Sequence, residues 1–385
     1  MEAKSNRSTK MLKTDKGFIR RASEPLGQDE IVKAVDITNA SKHFELKLEK
    51  LGPYKLNYFR NGRYLLLGGR RGHVAAFDWV TKDLLCEFNV RESIHAVQWL
   101  HMPSMFAVGQ KEWVHIYDRD GVELNVIKTM YRITHLDFLE YHFLLASASD
   151  KGYVSWKDIS IGKDIASFPT KNKTTDLTHN PQNGLLFCSH PNGTMSMWSP
   201  NNNRPVVSML CHGASVSSVT VTRCGNYFAT SCVDNKVKIW DLRNYKCLLE
   251  HKTTYVPSKV RFSQLGLLAV TGGSTVTVYK NAFRPDKGLT PYVRHHVDHL
   301  IDDAGFCGYE DILGVGHQGG FTSLLVPGSG EPNFDSLEAN PFMTKAQKRE
   351  MEVKMLMDKV SYKMICLDPN ELAKTNREQS TSSKK

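Results

Sequence analysis

The sequence contains no run of 18 or more apolar residues, which argues against a membrane-spanning helix. The first 21 residues are polar and basic without an apolar centre, which is not the pattern of a secretory signal. The 8 cysteines are scattered and form no C-x-x-C pair. We therefore expect reduced thiols in a cytosolic or nuclear protein, rather than disulfides or a zinc site.

Motifs that carry catalysis are also missing from the sequence. It has no G-x-S-x-G, no phosphate loop with its lysine, no H-E-x-x-H and no set of kinase motifs. Residues 314–319 match G-x-G-x-x-G, but an alternating strand follows where a helix is needed, so we interpret the glycines as a tight turn. His295, His296 and His299 lie near three aspartates, yet neighbours on a strand point to opposite faces, which disfavours a metal site. We predict no enzyme activity, no catalytic residue, no cofactor and no metal.

Positive charge is concentrated at the two ends of the chain. The formal net charge is +10. Residues 1–21 have seven basic and two acidic residues, residues 343–385 have ten and six, and the segment between them has 33 and 32. Basic ends favour binding to a polyanion, most often nucleic acid, by release of counterions. The alternative is a pair of solvated tails that keep the protein soluble.

A repeat of about 41 residues organises the middle of the chain. Seven segments share a short apolar strand, a turn of small or polar residues, and an alternating strand that ends in a large residue. Those end residues are Phe77, Tyr117, Trp156, Trp198, Trp240, Tyr279 and Leu324. Period-two alternation and enrichment in Val, Ile and aromatic residues favour strands over helical repeats. The pattern predicts an all-β fold, a seven-bladed WD-repeat β-propeller.

The order of the strands also predicts how the ring closes. Outer-strand candidates follow the first five repeats, whereas the last repeat ends near Val326 with no such strand after it. Residues 43–49 precede the first repeat and alternate apolar with charged side chains. We predict that they complete the seventh blade, which removes two exposed sheet edges.

Extensions flank the propeller on both sides. Residues 327–342 are rich in proline, glycine and turn formers, which excludes regular structure there. Thr344 is a candidate N-cap for a helix whose apolar side chains would be Val353, Leu356, Met357, Val360 and Met364. This helix either folds back on the propeller wall or docks on a partner. The predicted divisions are a basic N-terminal arm with its linker (1–42), the propeller (43–328), and a C-terminal extension (329–385) with a loop, an amphipathic helix and a basic tail.

Several sequence stretches together resemble one family. They are LGPY (51–54), RNGRYLLLGGRRGHVAAFDW (60–79), WLHMPSMFAV (99–108), YHFLLA (141–146), NGTMSMWSPN (192–201), KIWDLR (238–243), VPGSGEPNFDSLEANPF (326–342) and ICLDP (365–369). With these motifs the chain resembles the BING-four family of WD-repeat proteins, the seventh U-three-protein subunit of the small-subunit processome. Met351 departs from the family, which has tryptophan there, and the N-terminal arm is shorter than in many members.

The resemblance implies a function without catalysis. Members are nucleolar scaffolds of the U-three small nucleolar ribonucleoprotein, needed for processing of pre-rRNA to small-subunit rRNA and for early assembly of the small ribosomal subunit. Expected partners are other processome proteins, U-three snoRNA and pre-rRNA, with no membrane and no small-molecule substrate. The alternative is a cytosolic WD-repeat adaptor, such as a ubiquitin-ligase substrate receptor.

Two groups of candidate residues follow. The resemblance implies that His212 links through Thr230 or Asp234 to the indole of Trp240, which would fix the turns of blade five. For contact with a partner or RNA we select basic residues of the arms and the residues expected to anchor the extension. They are Arg20, Arg21, Phe334, Asn340, Pro341, Phe342, Lys345, Lys348, Arg349 and Lys354. The arms would become ordered when they bind.

Overall fold

A computed structural model describes residues 25–367, apart from Lys287 and Leu337. Arg20 and Arg21 therefore lie outside the described residues, as do residues 368–385, which include the whole predicted basic tail. The described helices are α1 (Gln28–Ala34), α2 (Ile37–Ala40) and α3 (Lys345–Met357), followed by a 3₁₀ turn at Tyr362–Met364. No helix in the described part of the chain is long and apolar enough to cross a membrane. All eight cysteines are free thiols.

The strands form seven four-stranded antiparallel sheets, so the predicted seven-bladed propeller is confirmed. Strand β1 spans Phe44–Lys47, and blade one consists of β2 (Tyr54–Tyr58), β3 (Tyr64–Gly69), β4 (His73–Asp78) and β5 (Asp83–Asn89). Blade two consists of β6 (Ala96–Trp99), β7 (Met105–Gly109), β8 (Val114–Asp118) and β9 (Glu123–Ile127). Blade three consists of β10 (Ile133–Leu139), β11 (Leu144–Ser149), β12 (Tyr153–Asp158) and β13 (Asp164–Pro169). Blade four consists of β14 (Asp176–His179), β15 (Leu186–Ser189), β16 (Thr194–Trp198) and β17 (Val207–Leu210), and blade five of β18 (Val216–Val221), β19 (Tyr227–Cys232), β20 (Lys236–Asp241) and β21 (Lys246–Lys252). Blade six consists of β22 (Lys259–Phe262), β23 (Leu268–Gly272), β24 (Thr275–Lys280) and β25 (Thr290–His296). Blade seven consists of β26 (Ile301–Phe306), β27 (Ile312–His317) and β28 (Gly320–Leu325) together with β1.

The first strand of each blade lies next to the first strands of the neighbouring blades and lines a central channel. The ring is closed because β2 contacts β26. The large residues that mark the sequence repeat are all buried, since each blade packs its flat face against the next. They are Phe77, Tyr117, Trp156, Trp198, Trp240, Tyr279 and Leu324.

Strand β1 occupies the outer position of blade seven, where the sequence placed residues 43–49. It pairs antiparallel with β28, with Leu46 opposite Phe321. The pairing requires Gly320, whose φ is +137° and where a Cβ would lie 1.9 Å from the Leu46 carbonyl oxygen. Gly314 and Gly316 lie inside β27 rather than in a turn, so only the last glycine of the G-x-G-x-x-G match, Gly319, belongs to the turn of blade seven.

Part of the predicted N-terminal arm belongs to the folded body. Leu26 forms a parallel bridge to Val293 in blade six. Gln28 exchanges two side-chain hydrogen bonds of 2.9 Å with the backbone of Leu325, and Ile31 is buried in the core between blades six and seven. Residues 25–42 are thus packed on the propeller, because an apolar side chain and a paired amide hold them there.

Candidate interaction surface

The C-terminal extension crosses one face of the propeller. In an antiparallel blade the turns between first and second strands and between third and fourth strands lie at the same end of the sheet. We call that end of the ring the strap face, and residues 329–367, which run across it, the strap. Its contacts divide into a loop, helix α3 and a terminal segment.

The loop of the strap begins on blades five to seven. The carboxylate of Asp311 accepts hydrogen bonds from the backbone N–H groups of Ser329 and Gly330, at 3.0 and 2.9 Å. Glu331 forms an ion pair with Arg223 of blade five, and the Arg223 guanidinium also lies over the ring of Tyr309. These contacts join blades five and seven through a short piece of extended chain.

Glu338 lies between blades one and three. Its carboxylate is 2.5 Å from Nη2 of Arg60 and 3.5 Å from the hydroxyl of Tyr141. The same guanidinium reaches Glu140 at 3.1 Å and lies over the Tyr141 ring. Burial raises the pKa of Glu140 even though Arg60 opposes this shift. The next residue, Ala339, is buried, so this point of the strap is held by both charge and packing.

Helix α3 follows with a complete capping box between Thr344 and Gln347. Lys348 donates to the hydroxyl of Tyr64 at 3.3 Å, and Glu352 lies 3.5 Å from Nε2 of His101. Met351 and Met355, at helical spacing from Lys348, line a small cavity against blades one and two. Met351, at the position of the family tryptophan, thus faces the propeller.

The predicted apolar face of the helix is wrong in orientation and in length. Val353, Leu356 and Met357 are 58%, 44% and 80% exposed. The helix ends at Met357, so Val360 and Met364 belong to the following segment, where they are exposed as well. The physical reason is that both sides of α3 carry apolar residues, and the fit of methionines to blades one and two decides which side is buried.

The end of the strap returns to blades three and four. The Val360 N–H donates to the Tyr141 carbonyl, and the Val360 carbonyl accepts from Nδ1 of the His142 ring. Lys359 forms an ion pair with Asp158. Ile365 is fully buried in the core of blades three and four. Its carbonyl accepts from the Ser199 hydroxyl at 2.7 Å and from the Asn201 amide at 3.1 Å. The strap therefore packs on its own propeller, as one of the two alternatives for the C-terminal helix anticipated.

The predicted contact residues do not form one cluster. Lys348 is engaged with the Tyr64 ring and hydroxyl, whereas Arg349 and Lys354 are exposed on α3. Lys345 is the first residue of α3. The four predicted residues of the loop make contacts that hold the strap in place. Phe334 contacts the Tyr309 ring, and the Pro341 carbonyl accepts from Arg63 at 2.8 Å. The Asn340 side chain accepts from the Phe342 N–H at 2.9 Å. The Phe342 side chain remains half exposed.

Three of the four blade-network residues are joined by hydrogen bonds. Thr230 Oγ1 lies 2.8 Å from Nε2 of His212 and accepts from the Trp240 indole at 3.0 Å. Burial lowers the pKa of His212 to about 4, so the ring is neutral. Asp234 is exposed in the turn and is not a member of this chain, because the shorter threonine already bridges the two rings. Of the two routes that the resemblance implies, the structure thus shows the one through Thr230.

Blade four contains a second network that the sequence analysis missed. Ser196 Oγ lies 2.7 Å from Nε2 of His190 and accepts from the Trp198 indole at 2.8 Å. The sequence signal that could have revealed it is a histidine before a strand that ends in tryptophan. The bridging residue differs from that of blade five, because it is a serine on the third strand and not a threonine on the second. Blade four therefore also links a histidine to its tryptophan through a hydroxyl, but from different positions.

The central channel contains a cavity of about 310 Å³ with a buried ionic cluster on its wall. Asp176 lies 2.8 Å from Nζ of Lys259 and 3.4 Å from Nη1 of Arg261, and it accepts from the Ser218 hydroxyl. Burial alone would raise the pKa of Asp176, but the charges of Lys259 and Arg261 outweigh burial and hold it well below its usual range. Within residues 25–367 no three His, Cys, Asp or Glu side chains converge to hold a metal.

Comparison with known families gives two matches. Residues 291–368 match the family described as the BING4CT (NUC141) domain. Residues 203–241 match the family described as the WD domain, G-beta repeat. The first match contains three of the four strands of blade seven and the whole strap, and the second contains the first three strands of blade five.

Whole-chain comparisons extend these matches. The chain is 44% identical to WD repeat-containing protein 46 of Homo sapiens, over 97% of this chain and 62% of the human protein. It is 39% identical to U3 small nucleolar RNA-associated protein 7 of Saccharomyces cerevisiae, over 92% of this chain and 67% of the yeast protein. The chain thus spans less than two thirds of the length of its human relative. A chain in the crystal structure of the mitotic checkpoint complex shares the fold, with a TM-score of 0.62 and 16% identity over 74% of this chain and 90% of that chain.

Proposed function

The chain belongs to the family of WD-repeat proteins that carry the BING4CT (NUC141) domain, and from this membership we propose that it is a non-catalytic scaffold subunit of the small-subunit processome, the U3 small nucleolar ribonucleoprotein. Its role there is to support processing of pre-rRNA to small-subunit rRNA and early assembly of the small ribosomal subunit. We place this work in the nucleolus.

One observation carries the proposal. The 39% identity with a protein named for its association with U3 small nucleolar RNA extends over 92% of this chain. The region matched by the BING4CT domain contains β26, β27 and β28 of blade seven and the whole strap, which crosses the strap face. A generic propeller does not need such a strap, so the family-specific sequence corresponds to a family-specific surface.

The architecture suits a scaffold. A closed ring presents rigid loops on both faces and an outer wall for several partners at once. We propose that the exposed ridge of the strap (Val353, Leu356 and Met357) receives another processome protein, with Arg349 and Lys354 beside it. Arg20, Arg21, Phe342 and Lys345 remain proposed contacts with partners, U3 snoRNA or pre-rRNA.

Tagged pull-down of the chain from its own cells tests the proposal. RNA crosslinked to the protein is sequenced, and co-purifying proteins are identified in the same sample. Recovery of U3 RNA, leader segments of pre-rRNA and processome proteins supports the scaffold. A matched control is an unrelated tagged propeller expressed at the same level.

The alternative function, a cytosolic adaptor, predicts a different result. Ubiquitin-ligase or trafficking subunits would be recovered without ribosomal precursors, and the tagged protein would stain the cytoplasm. That pattern would overturn the proposed function and leave the family membership as a shared fold with another use.

A further inference from the structure

The face opposite the strap carries a one-sided distribution of charge. Its loops join second to third strands within a blade and last to first strands between blades. In blades one to three these loops contain nine basic residues against Glu92, Glu112 and Asp150. We call the nine residues the basic rim: Arg70, Arg71, Arg91, Lys111, Lys128, Arg132, Lys151, Lys171 and Lys173. All nine are exposed.

The loops on the other half of the same face lack lysine and arginine, and Lys236 and Lys252 stand at the adjoining strand ends of blade five. The corresponding loops of blades four to seven (190–193, 211–215, 233–235, 253–258, 273–274, 297–300 and 318–319) contain no lysine or arginine. The loop 48–53 from blade seven to blade one adds Lys50 and Glu49, which cancel. The near-neutral total of the body therefore hides a strongly polarised face.

Backbone hydrogen bonds make the basic rim one continuous surface. The Ile94 N–H donates to the Arg70 carbonyl at 3.2 Å within the blade-one loops, and the His95 N–H donates to Gly109 at 2.8 Å. The Arg132 N–H donates to Glu112 at 2.7 Å, which joins the loops of blades two and three. These loops are fixed relative to one another before any ligand binds, so the spacing of their charges is fixed as well.

Aromatic rings lie among these charges. Tyr131 and Tyr153 are 41% and 46% exposed. The Lys151 ammonium is 5.0 Å from the Tyr131 ring centroid, and that of Lys128 is 5.5 Å from the Trp113 ring. Cations beside exposed rings are the combination that holds phosphates and stacks bases.

We propose that the basic rim binds single-stranded RNA, with phosphates on its lysines and arginines and an unpaired base on Tyr131. A single strand is favoured over a duplex because only unpaired bases can reach a ring. It is favoured over an acidic protein because exposed rings beside cations have no role in simple charge pairing. The inference rests on the proposed function, since the particle supplies the RNA.

Fluorescence anisotropy of the full chain with a 20-nucleotide single-stranded RNA of mixed sequence tests this inference. The variant carries Lys111→Glu, Lys151→Glu and Lys171→Glu, three lysines that form no ion pair within residues 25–367. We expect affinity to fall at least about tenfold and the salt dependence of log K to weaken by about 2, as three phosphate contacts are lost. The matched control carries Arg204→Glu, Lys246→Glu and Arg284→Glu, exposed residues of the strap-face end of blades four to six. It makes the same charge change and should keep its affinity within about twofold.

A ring substitution separates stacking from charge. Tyr131→Ala should weaken single-strand binding about fivefold or more with an unchanged salt slope, and Tyr131→Phe should restore it. Equal losses in the rim and control triple variants would overturn the inference. Binding of duplex RNA as tight as that of single-stranded RNA would also overturn it. So would equally tight binding of polyglutamate, if Tyr131→Ala leaves that binding unchanged. If the rim variant binds RNA normally while the wild type still co-purifies with U3 RNA in cells, this inference fails and the proposed function stands.

Discussion

Asp176 of blade four and Lys259 of blade six are joined by a 2.8 Å ion pair across the central channel. Asp176 also accepts from Ser218 of blade five, which lies between them in the ring. A single buried carboxylate thus connects the inner strands of three consecutive blades. The cluster supports the ring from inside, where no hydrophobic packing fills the channel.

Asp176→Asn should destabilise the protein by about 3–5 kcal/mol, because Lys259 would lose its carboxylate partner in the channel and Arg261 would keep a more distant one, Asp303 at 3.9 Å. Urea unfolding followed by tryptophan fluorescence measures the change. The control is Asp164→Asn, because Asp164 is a half-exposed carboxylate on the outer strand of blade three that pairs with Lys157. That change should cost less than about 1 kcal/mol. Similar losses for the two variants would contradict the assigned role of Asp176.

Stability should decrease as the pH falls from 6.5 towards 4, in part through His212. Its pKa is about 4 in the folded protein because of burial, against 6.5 as the ordinary value. Above pH 6.5 the ring is neutral in both states and its contribution is complete. Below that pH the unfolded chain takes up the proton first, which lowers the free energy of unfolding.

Thermal melting at pH 7.5 and pH 5 measures this pH dependence. His212→Gln keeps a hydrogen-bonding side chain beside Thr230 but does not titrate, so its melting temperature should fall less between the two pH values than that of the wild type. An identical fall in both proteins would show that His212 does not contribute.

Gly320→Ala should weaken the closure of the ring. The new Cβ would collide with the Leu46 carbonyl of β1, and the positive φ of Gly320 adds about 1–3 kcal/mol of strain. Hydrogen exchange of the amides of β1 should accelerate together with the loss of stability. Gly162→Ala is the matched control, since it also has a positive φ but meets no atom within 4 Å. If the amides of β1 exchange at the wild-type rate in Gly320→Ala, then Gly320 is not required for the pairing of β1 with β28.

Ile365→Ala should release the end of the strap from blades three and four. Removal of a fully buried isoleucine costs about 2–5 kcal/mol, and the segment can undock locally without unfolding the ring. Limited trypsin digestion should then cut at Lys359 or Lys363 at least about thirty times faster, because cleavage follows the open population. Leu367→Ala, at a half-exposed position two residues on, should change the rate little. Equal rates for wild type and Ile365→Ala would contradict tight docking.

The propeller was predictable because each blade repeats one pattern in contiguous sequence. The spacing of Phe77, Tyr117 and the later end residues needed no knowledge of long-range contacts. The orientation of α3 was not predictable, because Met351 and Met355 on one side compete with Val353 and Leu356 on the other. Only the shape of blades one and two selects between those sides.

The candidate sites show the same division. His212, Thr230 and Trp240 belong to one repeat, so their connection could be expected from local sequence. Asp176 and Lys259 are 83 residues apart, and no pattern links them. The basic rim escaped the charge count because its nine residues are spread one or two at a time through loops between positions 70 and 173.

The sequence by itself determined the all-β class, the number of blades and the need for an extra strand to close the ring, because strand periodicity and turn residues act over short distances. The tertiary structure alone decided which side of the strap helix is buried, which blades the channel cluster joins and where positive charge accumulates. Those properties depend on side chains that ring closure brings together from distant positions, and neither composition nor periodicity records such distances.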